Sequence, residues 1–537
     1  MIPEFTLNDA QGLEVELSDA LVTALDKANR PYKYDGKKRG RNRIWRAETP
    51  FFKKIWGWTR YRTGTRGTYR EGDNGAFIKY EELQEILFHT NCPWWLLEEQ
   101  ITALRRGQGK IVKTRLPVKP DRWWAKLFGF YYSSGGVYNR ARTPKGHGQQ
   151  KEWIEYNFRF SVDDEVVPML RELGNQIGDN IYETTYIPLY DGPHKMRGLR
   201  AGVRQGVLFS FPTWLIAHKF GLPEPPWERN KGNIGRNKAS RNYRPYIPEW
   251  ILNDDECMHD FIEAYVNGQR GHSMMHVIKG NRGLYTAIFI RFRAEEHEDV
   301  EIFAEQVSQW LGKQGIQGYY RETPRSAKQE RNPEFEYIIH NIESLKKFWD
   351  MFEIRRPDLR ARLLLRCEAL GDYSPGGAKR NTPEVYALYY ALLELKSSPE
   401  IVMMGVLYEN SRSLEELNEL LRMYPEVIDE VIEILTSKEM VKLKDGRYII
   451  DLSGWAKKKA RYHKKMSRVN LKKISDIGMS LTYQCIECGL TYIKDKGVCG
   501  NCGGKLEPVP RHKILKPLVL RRHRHNKAAD KLEEIAA

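Results

Sequence analysis

The chain has 537 residues, of which 87 are Lys or Arg and 70 are Asp or Glu, giving a formal net charge of +17 and a sequence pI near 9.3. This excess of positive charge indicates a polyanionic partner, nucleic acid first, and the length suffices for several domains of about 100–200 residues. No apolar run approaches the roughly 18–20 residues that span a bilayer, and the first residues lack the order of a secretory signal. We therefore expect a soluble intracellular protein, cytoplasmic or nucleoid-associated, with no membrane partner.

Residues 1–115 are predicted to be a basic, aromatic N-terminal region. From Arg30 to Arg70, basic residues alternate with Trp, Tyr and Phe, and acidic residues are scarce. Arg and Lys suit phosphates and aromatic faces suit stacking on bases or sugars, so this segment is a candidate nucleic-acid contact. The alternative is an irregular segment whose aromatic side chains pack against a neighbouring domain.

Two later segments are predicted to be helices that pack closely together. The stretch WWAKLFGFYYSSGGV, residues 123–137, places aromatic residues at helical spacing with small residues between them. Further along, IPEWILNDDECMHDFIEAYVNGQRG carries Ala264, Gly268 and Gly271 among its apolar positions. Small side chains on one face allow two helix backbones to approach each other, so each segment is the expected partner of the other.

The segments that follow these two helices are alike, which predicts an internal duplication. After each helix come a strand candidate with alternating apolar residues, an amphipathic helix, a further strand and a further helix. We interpret this as an αββαββα-like unit repeated over residues 120–365, with repeat 1 at 116–245 and repeat 2 at 246–370.

The two helices in their repeated context resemble the LAGLIDADG homing endonuclease family in its single-chain form. The motif positions are Leu127 to Gly135 in the first repeat and Phe261 to Gln269 in the second. The resemblance implies an α+β fold in which a duplicated αββαββα unit forms a saddle, with the motif helices packed together and two sheets along the major groove of duplex DNA. In this family each motif helix ends in a carboxylate that holds a divalent metal, and two such metals support phosphodiester hydrolysis.

The chain departs from the family at both carboxylate positions, which are occupied by Ser134 and Gln269. Neither side chain is ionised, so Mg²⁺ loses the charged oxygen ligands that it prefers, and we expect no catalytic residues. The leading hypothesis is a non-catalytic protein that binds duplex DNA, such as a transcription or replication factor. An active metal-dependent DNA endonuclease and an RNA-binding, maturase-like splicing factor are the alternatives.

The expected contacts with nucleic acid are basic residues of the predicted strands and of the loops between them. Lys and Arg suit phosphates, and Arg also suits guanine edges, whereas the alternative for the loops is a solvated linker. The candidates are Arg140, Arg142, Lys145, Arg159, Arg236, Lys238, Arg241, Arg291 and Arg293.

Residues 382–453 resemble a winged helix. The sequence predicts helix, turn and helix, then two strands that turn at Asp445-Gly446, a strong two-residue hairpin signal. The expected recognition helix is acidic, through Glu426 and Glu430 among others, so a protein-docking or spacing module is the alternative to DNA reading by that helix. The basic linker predicted at 454–478 contains further candidates for phosphate contact: Lys457, Lys458, Lys459, Lys464 and Lys465.

A zinc ribbon is predicted at residues 479–510. Cys485 and Cys488 form one C-x-x-C pair, and Cys499 and Cys502 form another after ten residues. Four thiolates at this spacing bind Zn²⁺ tetrahedrally with no open coordination position, so the zinc is expected to be structural. Because zinc ribbons also dock onto polymerases and ribosomes, a protein partner for this part of the chain is an open alternative. Residues 511–537 are expected to form a basic C-terminal tail.

Overall fold

The computed structural model describes residues 2–18, 77–81, 83–84, 97–106, 109–142, 153–186, 204–223, 237–238, 246–269, 273–278, 283–293, 297–323, 333–371, 382–395, 398–421, 425–478, 483–485, 487–488, 491–492, 498–499, 501–508 and 511–536. The fold is mixed α+β. The chain divides into two compact units, of which the first comprises 1–189, 202–273 and 287–359, and the second comprises 190–201, 274–286 and 360–537.

A small antiparallel sheet precedes the two predicted repeats. Its strands are β1 (Glu14–Leu17), β2 (Phe77–Lys79), β3 (Ile101–Arg105) and β4 (Ile111–Lys113), in the order β2-β1-β3-β4. The Lys113 amide donates to the Gly178 carbonyl at 2.7 Å, which joins this sheet to the first repeat. Part of the N-terminal region is therefore folded, whereas the basic, aromatic segment 30–70 lies outside the described residues.

The first repeat follows the order helix, two strands, helix, two strands, helix. Its elements are α1 (Arg122–Ser134), β5 (Gly135–Arg142), β6 (Trp153–Asp163), α2 (Val167–Ile177), β7 (Tyr182–Tyr186), β8 (Arg204–Phe209) and α3 (Phe211–Lys219). With β9 (Asn237–Lys238), the strands form an antiparallel sheet in the order β7-β8-β6-β5-β9. Buried aromatic rings cover one face, where Phe160 lies 5.0 Å from Phe158 and 5.2 Å from Phe209 between centroids.

The segment predicted as repeat 2 has the same order of elements as the segment predicted as repeat 1. After the short helix α4 (Glu249–Leu252) come α5 (Asp255–Gly268), β10 (Ser273–Ile278), β11 (Gly283–Arg293), α6 (His297–Lys313), β12 (Tyr319–Glu322), β13 (Glu334–Ile339) and α7 (Ile342–Met351). The sheet order β10-β11-β13-β12 corresponds strand by strand to β5-β6-β8-β7 of the first repeat. Phe292 of β11 packs on Phe303 of α6 at 4.9 Å between centroids, so the helix covers the apolar face of the sheet.

The second unit is mainly helical. Its helices up to residue 437 are α8 (Pro357–Leu364), which continues into a π-helical turn at Leu365–Ala369, then α9 (Pro383–Leu393), α10 (Ser398–Glu409), α11 (Leu414–Leu421) and α12 (Pro425–Ser437). A hairpin of β14 (Val441–Lys444) and β15 (Arg447–Ile450) follows. Asp445 and Gly446 have φ of 51° and 75°, so the turn predicted at this dipeptide is confirmed.

Two long helices and three short strands complete the chain. Residues predicted as a basic linker lie in α13 (Ser453–Gly478), and residues predicted as a basic tail lie in α14 (Arg511–Ala536). The two helices pack against each other, and between them lie β16 (Tyr483–Cys485), β17 (Thr491–Tyr492) and β18 (Leu506–Pro508), in the order β17-β16-β18. Leu532 of α14 belongs to the apolar core of the second unit. Among the described helices, none is both long and apolar enough to cross a membrane.

Candidate nucleic-acid interface and cysteine cluster

The helices α1 and α5 touch at the level of their backbones. A Cβ added at Gly129 would overlap the carbonyl oxygen of Phe261 and lie 2.9 Å from Ala264 Cβ. A Cβ added at Gly268 would overlap the hydroxyl of Ser133. Both positions therefore need glycine for the close approach, which confirms the helix pair predicted from the small residues.

A constant separation of 135 residues relates the contacting positions of the two helices. It joins position 129 to 264 and position 133 to 268. The same separation joins Ser134 to Gln269, the two positions at which the resemblance implies carboxylates. The structure thus places these two residues equivalently, one at the end of each helix.

Each of the two helices begins at an aspartate. Asp121 accepts hydrogen bonds from the amides of Trp123 at 2.9 Å and Trp124 at 3.3 Å. Asp254 accepts one from the amide of Cys257 at 2.9 Å. These caps satisfy amides that have no partner inside the helix and fix where each helix starts.

Neither Ser134 nor Gln269, the two residues described at these helix ends, has an ionisable side chain. The Ser134 hydroxyl donates to the carbonyl of Phe130 at 3.2 Å, within its own helix. The Gln269 side chain donates from Nε2 to the carbonyl of Arg291 and accepts at Oε1 from the amide of Arg291 at 3.2 Å. The carboxamide of Gln269 thus makes the same two hydrogen bonds to Arg291 of β11 that the backbone of a neighbouring strand would make. A carboxylate there has no hydrogen to donate to that carbonyl.

A buried arginine lies at the same end of α5. The Arg356 side chain is 2% exposed, and it donates to the main-chain carbonyl of Gln269. Its Nη2 also donates to Asp358 at 2.9 Å. A positive charge is favourable at the C-terminal end of a helix, and this one is supplied by the chain itself.

Ion pairs to buried carboxylates of α5 join α1 to α5, and no local sequence pattern predicts them. Arg122 Nε donates to Asp260 at 2.7 Å, and Lys126 lies 3.5 Å from Asp260 and 3.4 Å from Glu263. Burial raises the pKa of Asp260, but its hydrogen bonds from His259 and Arg122 outweigh this and hold the pKa below its ordinary value. Asp260 and Glu263 of α5 are therefore engaged by α1 and by residues beside the helix pair.

The strand register of the first sheet brings several predicted contacts onto one face. Arg140 and Arg142 of β5 pair with positions 155 and 153 of β6, which lie on the same face of that strand as position 159. Lys238 of β9 pairs with position 138 of β5, which lies on the same face of the sheet as positions 140 and 142. Positions 158, 160 and 162 of β6 lie on the opposite face and are buried. Four of the predicted basic positions therefore share the face of the sheet that is turned away from its aromatic layer.

In the second sheet the positive charge of the predicted arginines is compensated by glutamates of the neighbouring strand, which no sequence pattern predicts. Arg291 Nε donates to Glu336 at 2.8 Å, and Arg321 Nη2 donates to the same carboxylate at 3.5 Å. The three residues are cross-strand neighbours in adjacent strands. Arg293 pairs in the backbone register with Glu334. The charge available to a ligand on this face is therefore smaller than the arginines alone suggest.

The lysines predicted around residue 460 differ in their surroundings. Lys459 is ion-paired with Glu394 at 2.5 Å, and Lys464 is ion-paired with Glu533. The side chains of Lys457, Lys458 and Lys465 are exposed. The predicted contacts Lys145, Arg236 and Arg241 lie outside the described residues.

Three of the four predicted zinc ligands converge. The Sγ atoms of Cys488, Cys499 and Cys502 all lie within 4.8 Å of one another, and those of Cys488 and Cys499 are 3.5 Å apart. The amide of Asn501 donates to Cys499 Sγ at 3.4 Å, and Gly503 turns the chain with a φ of 75°. For Cys485 the structure describes the backbone, in β16 beside β18. Within the described part of the chain, this is the one group of three or more potential metal ligands whose donor atoms converge.

Comparison with solved structures finds members of the family that the sequence resembles. The I-SmaMI LAGLIDADG homing endonuclease bound to cleaved DNA matches with 14% identity and a TM-score of 0.31, covering 51% of this chain and 97% of that chain. The LAGLIDADG meganuclease I-AabMI bound to uncleaved DNA matches with 13% identity and a TM-score of 0.24, covering 44% of this chain and 85% of that chain. No family model and no curated protein matches the chain.

Proposed function

We propose that the chain is a DNA-binding protein in which a duplicated αββαββα saddle binds duplex DNA without cleaving it. The proposal rests on the side chains at the two equivalent helix ends, Ser134 and Gln269, and on their hydrogen bonds. By the resemblance these ends correspond to the positions at which the family holds its metals, but one end carries a hydroxyl bonded within its own helix and the other a carboxamide bonded to β11. The packing of the helix pair is kept, and the anionic ligands for a hard cation are replaced.

The first sheet supports the binding part of the proposal. The strand register puts four predicted basic positions on the face opposite the aromatic layer: Arg140, Arg142, Arg159 and Lys238. Alternate residues of a strand share one face, so these positions suit joint contact with phosphates and base edges. The role would be that of a transcription or replication factor.

The second unit adds two accessory modules in this proposal. Residues 382–453 serve as a winged-helix-like module, supported by the sequence of α10, α11, α12 and the β14–β15 hairpin. Residues 479–510 serve as a zinc ribbon held by Cys485, Cys488, Cys499 and Cys502. The convergent Sγ atoms and the amide that donates to Cys499 suit thiolate ligands of a tetrahedral ion. The ion would tie the short strands together and take no part in a reaction.

Selection from a random duplex-DNA pool, with a random RNA pool in parallel, tests the proposal. We expect enrichment of a long duplex motif that stays uncut when the complexes are incubated with Mg²⁺ or Mn²⁺. Cleavage at the motif would make the chain an endonuclease, and enrichment of structured RNA alone would make it an RNA-binding protein.

A matched pair of variants locates the binding face. The variant Arg140→Gln, Arg142→Gln, Arg159→Gln should lose preference for the selected motif. The control variant Lys79→Gln, Lys313→Gln, Lys347→Gln removes the same charge from exposed positions elsewhere in the chain and should keep that preference. Equal loss in both variants would show that total charge, and not this face, is responsible.

A further inference from the structure

Most of the net charge of the chain lies in the pair formed by α13 and α14. The helix α13 contains nine Lys or Arg and one Asp, and α14 contains eight Lys or Arg and three acidic residues. The pair therefore carries a net +13 of the +17 of the whole chain. Each helix has 26 residues, or about 39 Å at 1.5 Å per residue, so this charge is spread along an extended element.

The side of α13 that packs inward is lined by small and polar residues. They recur at alternating spacings of four and three, as in a helix that packs along one seam, and all are buried or half-buried. They are Ala456, Ala460, His463, Ser467 and Asn470. His463 contacts His525 of α14, with 2.8 Å between their Nδ1 atoms, which identifies this side as the seam.

The opposite side of α13 is a continuous row of cations, here called the outer stripe. Its residues recur at alternating spacings of three and four, and every one is exposed. They are Lys458, Arg461, Lys465, Arg468 and Lys472. Lys459 and Lys464 lie beside the stripe and have acidic partners in Glu394 and Glu533. Among the described residues, no ion pair involves a member of the stripe.

Such a row destabilises the helix that carries it. Like charges three and four residues apart repel each other, and solvated helices usually intersperse acids at these positions. Trp455, Ala456 and Ala460 belong to the apolar core of the second unit, but the rest of the seam, which is His463, Ser467 and Asn470, buries little apolar surface to offset the repulsion. An array of anions along the stripe would turn the repulsion into attraction.

We propose that the outer stripe binds the phosphate backbone of duplex DNA, without sequence preference, in addition to the contacts of the sheets. The inference rests on the proposed function in one respect, because it takes duplex DNA as the partner. The stripe spans about 21 Å along the helix, which corresponds to roughly six base-pair steps of 3.4 Å. It consists of Lys and Arg alone, with no aromatic member to stack on the bases of a single strand, so it fits phosphates.

Salt titration of the full chain on duplex DNA of random sequence tests the proposal. The variant Arg461→Gln, Lys465→Gln, Arg468→Gln should lower the slope of log K against log salt by about 2.7, at about 0.9 per phosphate contact. Its affinity at low salt should fall at least tenfold. The control variant Lys79→Gln, Lys313→Gln, Lys347→Gln should leave the slope unchanged. Without DNA, the stripe variant should unfold no more easily than the parent, because repulsion is relieved.

Several results would overturn the proposal. Equal slopes for the stripe variant and the control would do so, as would binding of duplex RNA with no binding of duplex DNA. If the triple variant misfolds, the milder Lys458→Gln, Lys472→Gln variant should still lower the slope by about 1.8, and an unchanged slope there contradicts us. The two proposals can fail independently. If the stripe variant lowers the salt slope but the selection enriches no duplex motif, only the proposal for the outer stripe stands. If a motif is enriched but the stripe variant leaves the slope unchanged, only the proposed function of the saddle stands.

Discussion

Two glycines set the distance between α1 and α5. Each lies where even a methyl group would meet backbone or side-chain atoms of the other helix. Overpacking of this kind is relieved only by moving the helices apart, and that movement would disturb the ion pair of Arg122 with the buried Asp260 beside them. The helix pair is therefore sensitive to very small additions of volume.

We expect Gly129→Ala to destabilise the chain by about 1–3 kcal/mol, because its Cβ would overlap the carbonyl of Phe261. Gly312→Ala is the control, since Gly312 lies in α6 with no atom within 4 Å of its added Cβ. That change should stabilise by about 0.5–1 kcal/mol, the usual gain of alanine over glycine in a helix. Urea unfolding of the two variants measures both effects. A Gly129→Ala variant as stable as the parent would contradict the close packing.

The residues of the helix pair show what the sequence predicts and what it does not. Small residues at helical spacing predict the pair because close approach depends on local composition. The ion pair of Arg122 with Asp260 joins residues 138 positions apart, and no local pattern signals it. Ser134 and Gln269 could be identified as departures from the family, but the bonds of Gln269 to β11 depend on where that strand passes.

At the scale of elements, the seam between α13 and α14 is sensitive to pH. Burial, together with the neighbouring charge of His525 and Lys459, lowers the pKa of His463 to about 4. Burial also lowers the pKa of His525. Glu394 acts in the opposite direction. Protonation is therefore disfavoured in the folded pair relative to a solvated histidine near 6.5.

The sign of the pH effect follows from this shift. The seam contributes its full stability above about pH 6.5, loses it as pH falls from 6.5 towards 4, and loses no more below that. Hydrogen exchange of peptides from α13 and α14, corrected for intrinsic rates, should show faster exchange across this range. In the His463→Gln variant the same peptides should depend less on pH, because only His525 is left to titrate in the seam. Protection that rises on acidification would contradict this assignment.

The cysteine cluster predicts the metal content of the chain. We expect one Zn²⁺ per chain by elemental analysis, and loss of that zinc in Cys499→Ser, because Cys499 is one of three convergent thiols. Cys257→Ser is the control, since burial and the nearby Asp254 raise the pKa of Cys257 to about 12 and keep it a thiol. Chelation should speed hydrogen exchange in residues 483–508 and leave α1 and α5 unchanged. Zinc retained by Cys499→Ser would refute the site.

In the second unit the sequence predicts the hairpin turn but not the helix α13, and the difference has a physical reason. The β14–β15 turn follows from Asp445-Gly446, since few residues adopt a positive φ. The helix α13 was expected as a linker because its seam is made of Ala, His, Ser and Asn. Beyond Trp455, Ala456 and Ala460 the buried side of this helix is polar, so it gives no sustained hydrophobic period to detect.

At the scale of the whole molecule, the two compact units should unfold as separate cooperative blocks. Gly405 offers a counterpart to Gly129, because its added Cβ would overlap the carbonyl of Ala361 within the second unit. We expect Gly129→Ala to lower the thermal transition of the first unit and Gly405→Ala that of the second. Hydrogen exchange resolved by peptide during heating distinguishes the blocks. A single transition lowered equally by both variants would contradict their independence.

The return of α14 to the core of the second unit has a consequence for biosynthesis. Leu532 packs with residues such as Leu388 and Trp455, which leave the ribosome well before it. Until α14 emerges from the ribosome, the core of the second unit lacks the apolar residues of α14, and the cationic helix α13 lacks the helix against which it packs. A nascent chain stalled before Leu532 should therefore stay exposed to chaperones and proteases, and the second unit should reach its native state only after translation of α14.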